Sequence, residues 1–171
     1  MILNFGNNIT TTFEQCGNIL ISGVTGSGKS YLLGQILSQL PENEYCLISP
    51  KKIDFKEFNA LADIPDTTFK PIIIIDALEC LLPPHKSDDS SLDTIIKLYL
   101  NKLNLIVTTQ YIKQKYFDKI SLCFPTRICM HTGGIEHTMQ VLGCKAEVAN
   151  GEALLKIKGH SKMHHISLRN I

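Results

Sequence analysis

Gly23-Val24-Thr25-Gly26-Ser27-Gly28-Lys29-Ser30 carries residue types at a spacing that define a chemistry. It spells G-x-x-x-x-G-K-[ST], the phosphate-binding loop. An apolar run, Asn18-Ile19-Leu20-Ile21-Ser22, precedes it, and a helical pattern, Tyr31-Leu32-Leu33-Gly34-Gln35-Ile36-Leu37, follows. Gly23, Gly26 and Gly28 let the backbone curl so that successive N–H groups converge on phosphate oxygens. The helix start adds its positive dipole end. Thr25 and Ser27 complete the loop, and Tyr31 sits in the first helical turn. Lys29 can reach the β- and γ-phosphates, and the Ser30 hydroxyl can ligate Mg²⁺. A glycine-rich turn can also be no more than a tight connection. With the glycines, the Lys and the Ser in a strand-to-helix context, the expected ligand is a nucleoside triphosphate.

A phosphate-binding Lys calls for an acid that helps hold the metal. Pro71-Ile72-Ile73-Ile74-Ile75-Asp76 supplies one. A continuous apolar run is what a strand buried on both faces looks like. An acid at its carboxyl end falls where ligands bind in open α/β sheets. Asp76 is therefore the expected second (Walker B) acid, with Ser30 as the other protein ligand of Mg²⁺.

The elements that must position these groups alternate. Residues 1–17 suit a short hairpin, 18–22 a strand, and 29–40 a helix stopped by Pro41. Tyr45–Ile48 reads as a strand, 54–61 as a short helix, and 83–91 as a loop before a helix containing Leu92, Ile95, Ile96 and Leu100. Residues 103–110 and 126–131 read as strands, 111–119 as a polar helical excursion, 135–142 as a helix, and 153–157 and 163–168 as final strands. That order predicts one α/β domain with a mostly parallel sheet flanked by helices and a β-rich carboxyl-terminal edge.

Bulk properties set outer limits. A chain of 171 residues holds one domain with a real core, not comfortably two. Hydrophobic residues at 44% and charged ones at 19% argue against disorder. A net charge of +1 gives no global basic signature, so any nucleic-acid contact must come from local patches. The six cysteines form no C-x-x-C pair and several lie in apolar runs, as buried thiols of a reducing compartment would. No basic leader opens the chain and no apolar run could span a bilayer, so a soluble cytoplasmic protein is expected. Cys129 and His131 share a strand face and His160, His164 and His165 cluster, but no spacing matches a zinc motif.

Several further stretches resemble the motor domain of the FtsK/SpoIIIE DNA translocases, within the wider FtsK–HerA group. Residues 18–30 are similar to that family's first strand and phosphate loop. Leu47-Ile48-Ser49-Pro50-Lys51 resembles its L-I-D-P-K segment with Ser49 replacing the acid, and Leu105-Ile106-Val107-Thr108-Thr109-Gln110 resembles its L-I-L-A-T-Q sensor strand. Phe124-Pro125-Thr126-Arg127-Ile128 matches I-P-T-R-I, and Gly151-Glu152-Ala153-Leu154-Leu155 resembles G-D-M-L. The ordered set spans about residues 18–157.

The resemblance implies a RecA-like sheet and a ring of subunits, usually six, that drives double-stranded DNA by ATP hydrolysis. It implies that Gln110 senses the γ-phosphate, although a strand-end polar residue can simply face water. Arg127, one of only two arginines with Arg169, is the expected finger onto a neighbouring subunit's nucleotide; an ordinary surface Arg is the alternative. The family places a Glu directly after the Walker B Asp, and here that position is Ala77. Glu79 could substitute if the strand continued, or could be a surface acid on the next turn. Lys86, Lys113 and Lys115 are the expected DNA-phosphate contacts, a solvated lysine face being the alternative. The chain is expected to be a bare motor without membrane segments or a winged-helix DNA reader, suited to a virus or mobile element and acting with a membrane or capsid partner protein. Two other functions stay open: a slow or non-hydrolysing assembly subunit, and a protein-export ATPase of the same fold.

Overall fold

The four isoleucines Ile72–Ile75 form a strand buried on both faces, as their unbroken apolar pattern predicts. Ile72 and Ile74 enter one hydrophobic cluster, Ile73 and Ile75 the other. A computed structural model describes residues 1–49, 71–81, 104–111 and 122–170. The helices expected at 54–61 and after residue 91, the excursion at 112–119, and Lys86, Lys113 and Lys115 lie outside those residues.

The chain opens with a hairpin of β1 (Ile2–Asn4) and β2 (Thr10–Thr12), then a single turn of helix, α1 (Phe13–Cys16). Thr12 and Gln15 close a reciprocal capping box at the start of α1. Next come β3 (Ile19–Ser22), α2 (Lys29–Leu37), β4 (Tyr45–Ile48), β5 (Ile72–Ile75) and α3 (Leu78–Leu81). They are followed by β6 (Asn104–Thr109), β7 (Thr126–Met130), α4 (Ile135–Leu142), β8 (Glu152–Lys156), β9 (His164–Ser167) and a 3₁₀ turn, Leu168–Asn170. Helix α2 stops short of the expected residue 40 because its end tightens: Gln39 N–H donates to Ile36 O and Leu40 N–H to Leu37 O before Pro41.

Seven strands form one sheet in the order β4-β5-β6-β3-β7-β8-β9. The pairings from β4 to β7 are parallel, and β8 and β9 add antiparallel strands at the edge. The mostly parallel α/β architecture with a β-rich carboxyl-terminal edge is thus present. Residues on α2 (Leu32, Leu33, Ile36) and the hairpin (Leu3, Phe5) cover one face. Val141 and Leu142 of α4, with Phe124, cover the other. Cys16, Cys123 and Cys129 are buried free thiols, and burial pushes the Cys129 thiol up to about 12. Among the described residues, no helix is long and apolar enough to cross a membrane.

Asn18 fixes the amino ends of three central strands. Its side chain is 4% exposed; Nδ2 donates to Cys123 O at 2.9 Å and Oδ1 accepts from Leu105 N–H at 2.9 Å. Its own carbonyl accepts from Thr126 N–H at 3.3 Å. Asn18→Ala would leave a buried donor and a buried acceptor unmatched. We expect a loss of about 2–3 kcal/mol in a denaturant titration, since each orphaned group is worth about 1–3 kcal/mol.

Candidate functional site

Parallel pairing brings the carboxyl ends of β3, β5 and β6 to one edge of the sheet. Ser22, the last residue of β3, pairs with Thr109 of β6 on one side and Cys129 of β7 on the other. The phosphate loop leaves from that level and stays pinned to both neighbours. Gly23 N–H donates to Thr109 O at 3.2 Å and Val24 N–H to His131 O at 3.1 Å. The approach requires glycine: a methyl on Gly23 would lie 2.7 Å from Ser27 Oγ and 2.9 Å from Met130 Cβ. Gly28, with φ +98°, turns the chain into α2 and offers no side-chain cap to the helix. The first-turn N–H groups of Lys29, Ser30 and Tyr31 are therefore not satisfied by a cap of their own.

Thr25, Gly26, Ser30 and Tyr31 are exposed, whereas Ser27 is buried at 2% exposure and its Oγ has no hydrogen-bond partner. Lys29 is half-buried and folds back over the loop, donating from Nζ to Gly23 O at 2.7 Å and Val24 O at 3.0 Å. Burial lowers its proton affinity, and the charges of Glu79 and Asp76 act against that. The ammonium, Asp76 and Glu79 thus share one electrostatic neighbourhood.

Asp76 follows β5 directly, beside β6. Its Oδ1 accepts from Thr108 Oγ1 at 2.7 Å and its Oδ2 from Ser49 Oγ at 3.3 Å. Neither partner was singled out as a ligand of this acid by the sequence. Ser49 occupies the position where the resembling family has an acid, which was the available signal; Thr108 gave none. The hydroxyls orient the carboxylate without neutralising it. Ser30 and Asp76 offer hard oxygen donors, a set that suits Mg²⁺.

Glu79 reaches the site by neither expected route. The strand ends at Ile75, and Ala77 takes a left-handed backbone, φ 57°, uncommon for a residue with a Cβ. Thr108 Oγ1 accepts from Ala77 N–H at 2.7 Å and so holds the kink. The chain then turns into α3, and Glu79 comes back over the end of β6, where its Oε2 accepts from Gln110 N–H at 3.1 Å. Glu79 is half-buried, and among the described residues its buried Oε1 has no hydrogen-bond partner. Gln110 lies one residue beyond β6, exposed, at the level of the phosphate loop.

Arg127 is not in this cluster. It is the second residue of β7, so it lies toward the amino ends of the parallel strands, while the loop is at their carboxyl ends. Its Nη1 donates to Val141 O on α4 at 3.0 Å, and burial lowers its proton affinity. His137 was not expected at all. It lies on α4, and its Nε2 is 2.8 Å from Ser22 Oγ.

No family model matches this chain, and no curated protein matches it. Solved structures do. The conjugation coupling protein TcpA of pCW3, in its monomer form with ATPγS, is 19% identical with a TM-score of 0.68 over 97% of this chain and 65% of that one. The cytoplasmic domain of the Thermomonospora curvata type VII secretion ATPase EccC is 15% identical, TM-score 0.65, over 88% of this chain and 25% of that one. The genome packaging NTPase B204 of Sulfolobus turreted icosahedral virus 2, with ATPγS, is 13% identical, TM-score 0.56, over 90% of this chain and 98% of that one. The chain therefore spans less than two thirds of TcpA and a quarter of EccC, and nearly the whole of B204. The fold is that of the FtsK/HerA-type P-loop ATPases, as the sequence resemblance implied.

Replacing Thr108 with Val removes the hydroxyl that holds both Asp76 Oδ1 and Ala77 N–H. We expect Thr108→Val to lower stability by about 1–3 kcal/mol. It should also weaken Mg²⁺-dependent nucleotide affinity more than metal-free affinity, as measured by calorimetry with ATPγS with and without Mg²⁺.

Proposed function

We propose that this chain is an ATP-hydrolysing motor domain that assembles as a ring and moves or packages double-stranded DNA. The observation that supports it most is Glu79 Oε1, buried and, among the described residues, unpartnered, beside the end of β6 that pairs with the strand leading into the phosphate loop. Structural neighbours described as a conjugation coupling protein and a genome packaging NTPase favour DNA as the substrate.

In this reading the uncapped first-turn N–H groups of Lys29, Ser30 and Tyr31 and the Lys29 ammonium bind the triphosphate. The buried Ser27 hydroxyl gains a partner there. Ser30 and Asp76 hold Mg²⁺, which neutralises charge on the phosphates when bound. Glu79 takes the role that Ala77 cannot: its free Oε1 accepts a proton from the attacking water, while Oε2 stays anchored on Gln110 N–H. The Gln110 side chain faces the γ-phosphate. Lys86, Lys113 and Lys115 contact DNA phosphates, making binding salt-dependent.

Arg127 acts, in the ring, on the nucleotide of the adjacent copy. Its bond to Val141 O anchors one guanidinium nitrogen. A second reading, a nucleotide-gated assembly subunit with negligible turnover, is favoured by Ala77. A third, protein export, is favoured by the likeness to EccC.

Steady-state ATP hydrolysis with and without linear double-stranded DNA separates the three. DNA-stimulated turnover that vanishes in Lys29→Ala supports the motor. Turnover indifferent to DNA supports export, and ATP binding without turnover supports the assembly subunit.

In the motor reading, Glu79→Gln should bind ATPγS normally and lose about 100-fold or more in kcat, the range of a positioned general base. Unimpaired kcat would remove Glu79 from the mechanism.

Arg127→Ala should lose about 1,000-fold in kcat, the smaller end of what a finger contributes, beyond what any fall in melting temperature from freeing Val141 O accounts for. A fall in melting temperature with turnover retained would assign Arg127 to holding α4 against the sheet.

A further inference from the structure

His137 joins α4 to the strand ends on both sides of the phosphate site. It is half-buried in the first turn of α4, and Nε2 lies 2.8 Å from the Oγ of Ser22, which is fully buried. Ser22 immediately precedes Gly23, whose carbonyl holds the Lys29 ammonium. The other side of the imidazole meets Tyr111, ring centroids 6.0 Å apart and tilted by 35°. Tyr111 immediately follows Gln110, the residue whose N–H holds Glu79. One side chain thus contacts the neighbours of both Gly23 and Gln110.

The charges around it give that contact a direction. The groups touching the imidazole are the Ser22 hydroxyl from β3 and the Tyr111 ring from beyond β6, and the Lys29 charge at the start of α2 acts on it through space. Its own helix adds the exposed Glu136, and Asp76 and Glu79 act on Lys29. Burial, and after it the Lys29 charge, hold His137 below the usual imidazole range. The ring is therefore neutral at physiological pH, and its Nε2 can accept the Ser22 proton. Negative charge brought onto Lys29 offsets the second of these two causes, so the proton affinity of the imidazole rises toward what burial alone sets. A protonated Nε2 donates to Ser22 Oγ instead, reversing the bond.

We propose that His137 is a nucleotide-sensing positioning residue: through Ser22 and Tyr111 it reports the charge of a bound triphosphate to α4. The inference rests on the nucleotide-binding part of the function proposed above and not on turnover. It gives α4, which packs on β7 and carries the carbonyl that holds Arg127, a link to the phosphate site.

The test is a histidine NMR titration of the full chain with and without saturating Mg²⁺–ATPγS, the His137 signal being assigned by its loss in His137→Gln. The expected result is that the His137 midpoint moves to higher pH with nucleotide while His160 and His164 stay put. Ser22→Ala, with ATPγS affinity retained, should change the response of His137.

A midpoint unmoved at saturating ATPγS overturns the proposal, and so does a shift of equal size at all the histidines. Failure to bind ATPγS sinks this inference together with the nucleotide reading. A normal His137 response in a protein that never turns ATP over sinks only the motor. Where turnover is present, His137→Ala should reduce kcat about ten-fold or more, as expected for a lost positioning contact. Its ATPγS affinity should lose the pH dependence that His137 confers on the native chain, a readout that a packing role would not move. The same pH dependence of ATPγS affinity in His137→Ala and the native chain would make His137 a packing residue.

Discussion

The site depends on the level at which three parallel strands end. Because Ser22 pairs with Thr109 and Cys129, the loop after β3 starts between two neighbours that end beside it. Those neighbours leave room for a backbone and for no side chain at Gly23. From the same level, Gly23 and Val24 bond across to Thr109 and His131. Those two bonds fix the carbonyls over which Lys29 lies. A one-residue slip of β6 would move Thr108 away from Asp76 and Ala77 and turn its side chain to the opposite face. Register is held from the other end of the strands by Asn18, so the amino edge of the sheet controls the geometry of the carboxyl edge.

Local patterns made much of this legible in the sequence. The phosphate loop is a contiguous motif, and the strand before Asp76 announces itself by four isoleucines. Among the described residues, the helices and strands fell close to their expected limits because each face of the sheet is apolar and the turns carry glycine, proline or a cap. The partners of Asp76 were not legible. Ser49 and Thr108 are 27 and 32 residues from it and meet it only through the order of strands. His137 is 115 residues from Ser22, on a helix whose spacing suggests only an amphipathic surface element. Glu79 was visible as an acid at the wrong distance. What the sequence could not show was the left-handed turn at Ala77, after which Glu79 comes back over the end of β6.

That turn illustrates how a departure from a motif can be absorbed. A non-glycine residue in the left-handed region is strained by about 1–3 kcal/mol. Here the strain is opposed by a short hydrogen bond from Ala77 N–H to the hydroxyl that also orients Asp76. The side chain that would have followed Asp76 is a methyl, and the carboxylate arrives two residues later from a helical turn.

The floor of the phosphate loop has a more distant origin. A methyl on Gly28 would lie 2.7 Å from Leu168 Cδ1 and 3.3 Å from Met130 Cε. The space that glycine leaves is thus filled by a residue from the final turn and another from β7. Leu168 is itself tied to the end of the sheet, its N–H donating to Gly151 O. The eight-residue motif is therefore not a portable cassette. Its curvature is moulded against side chains up to 140 positions away, and the last strands of the chain serve as the mould.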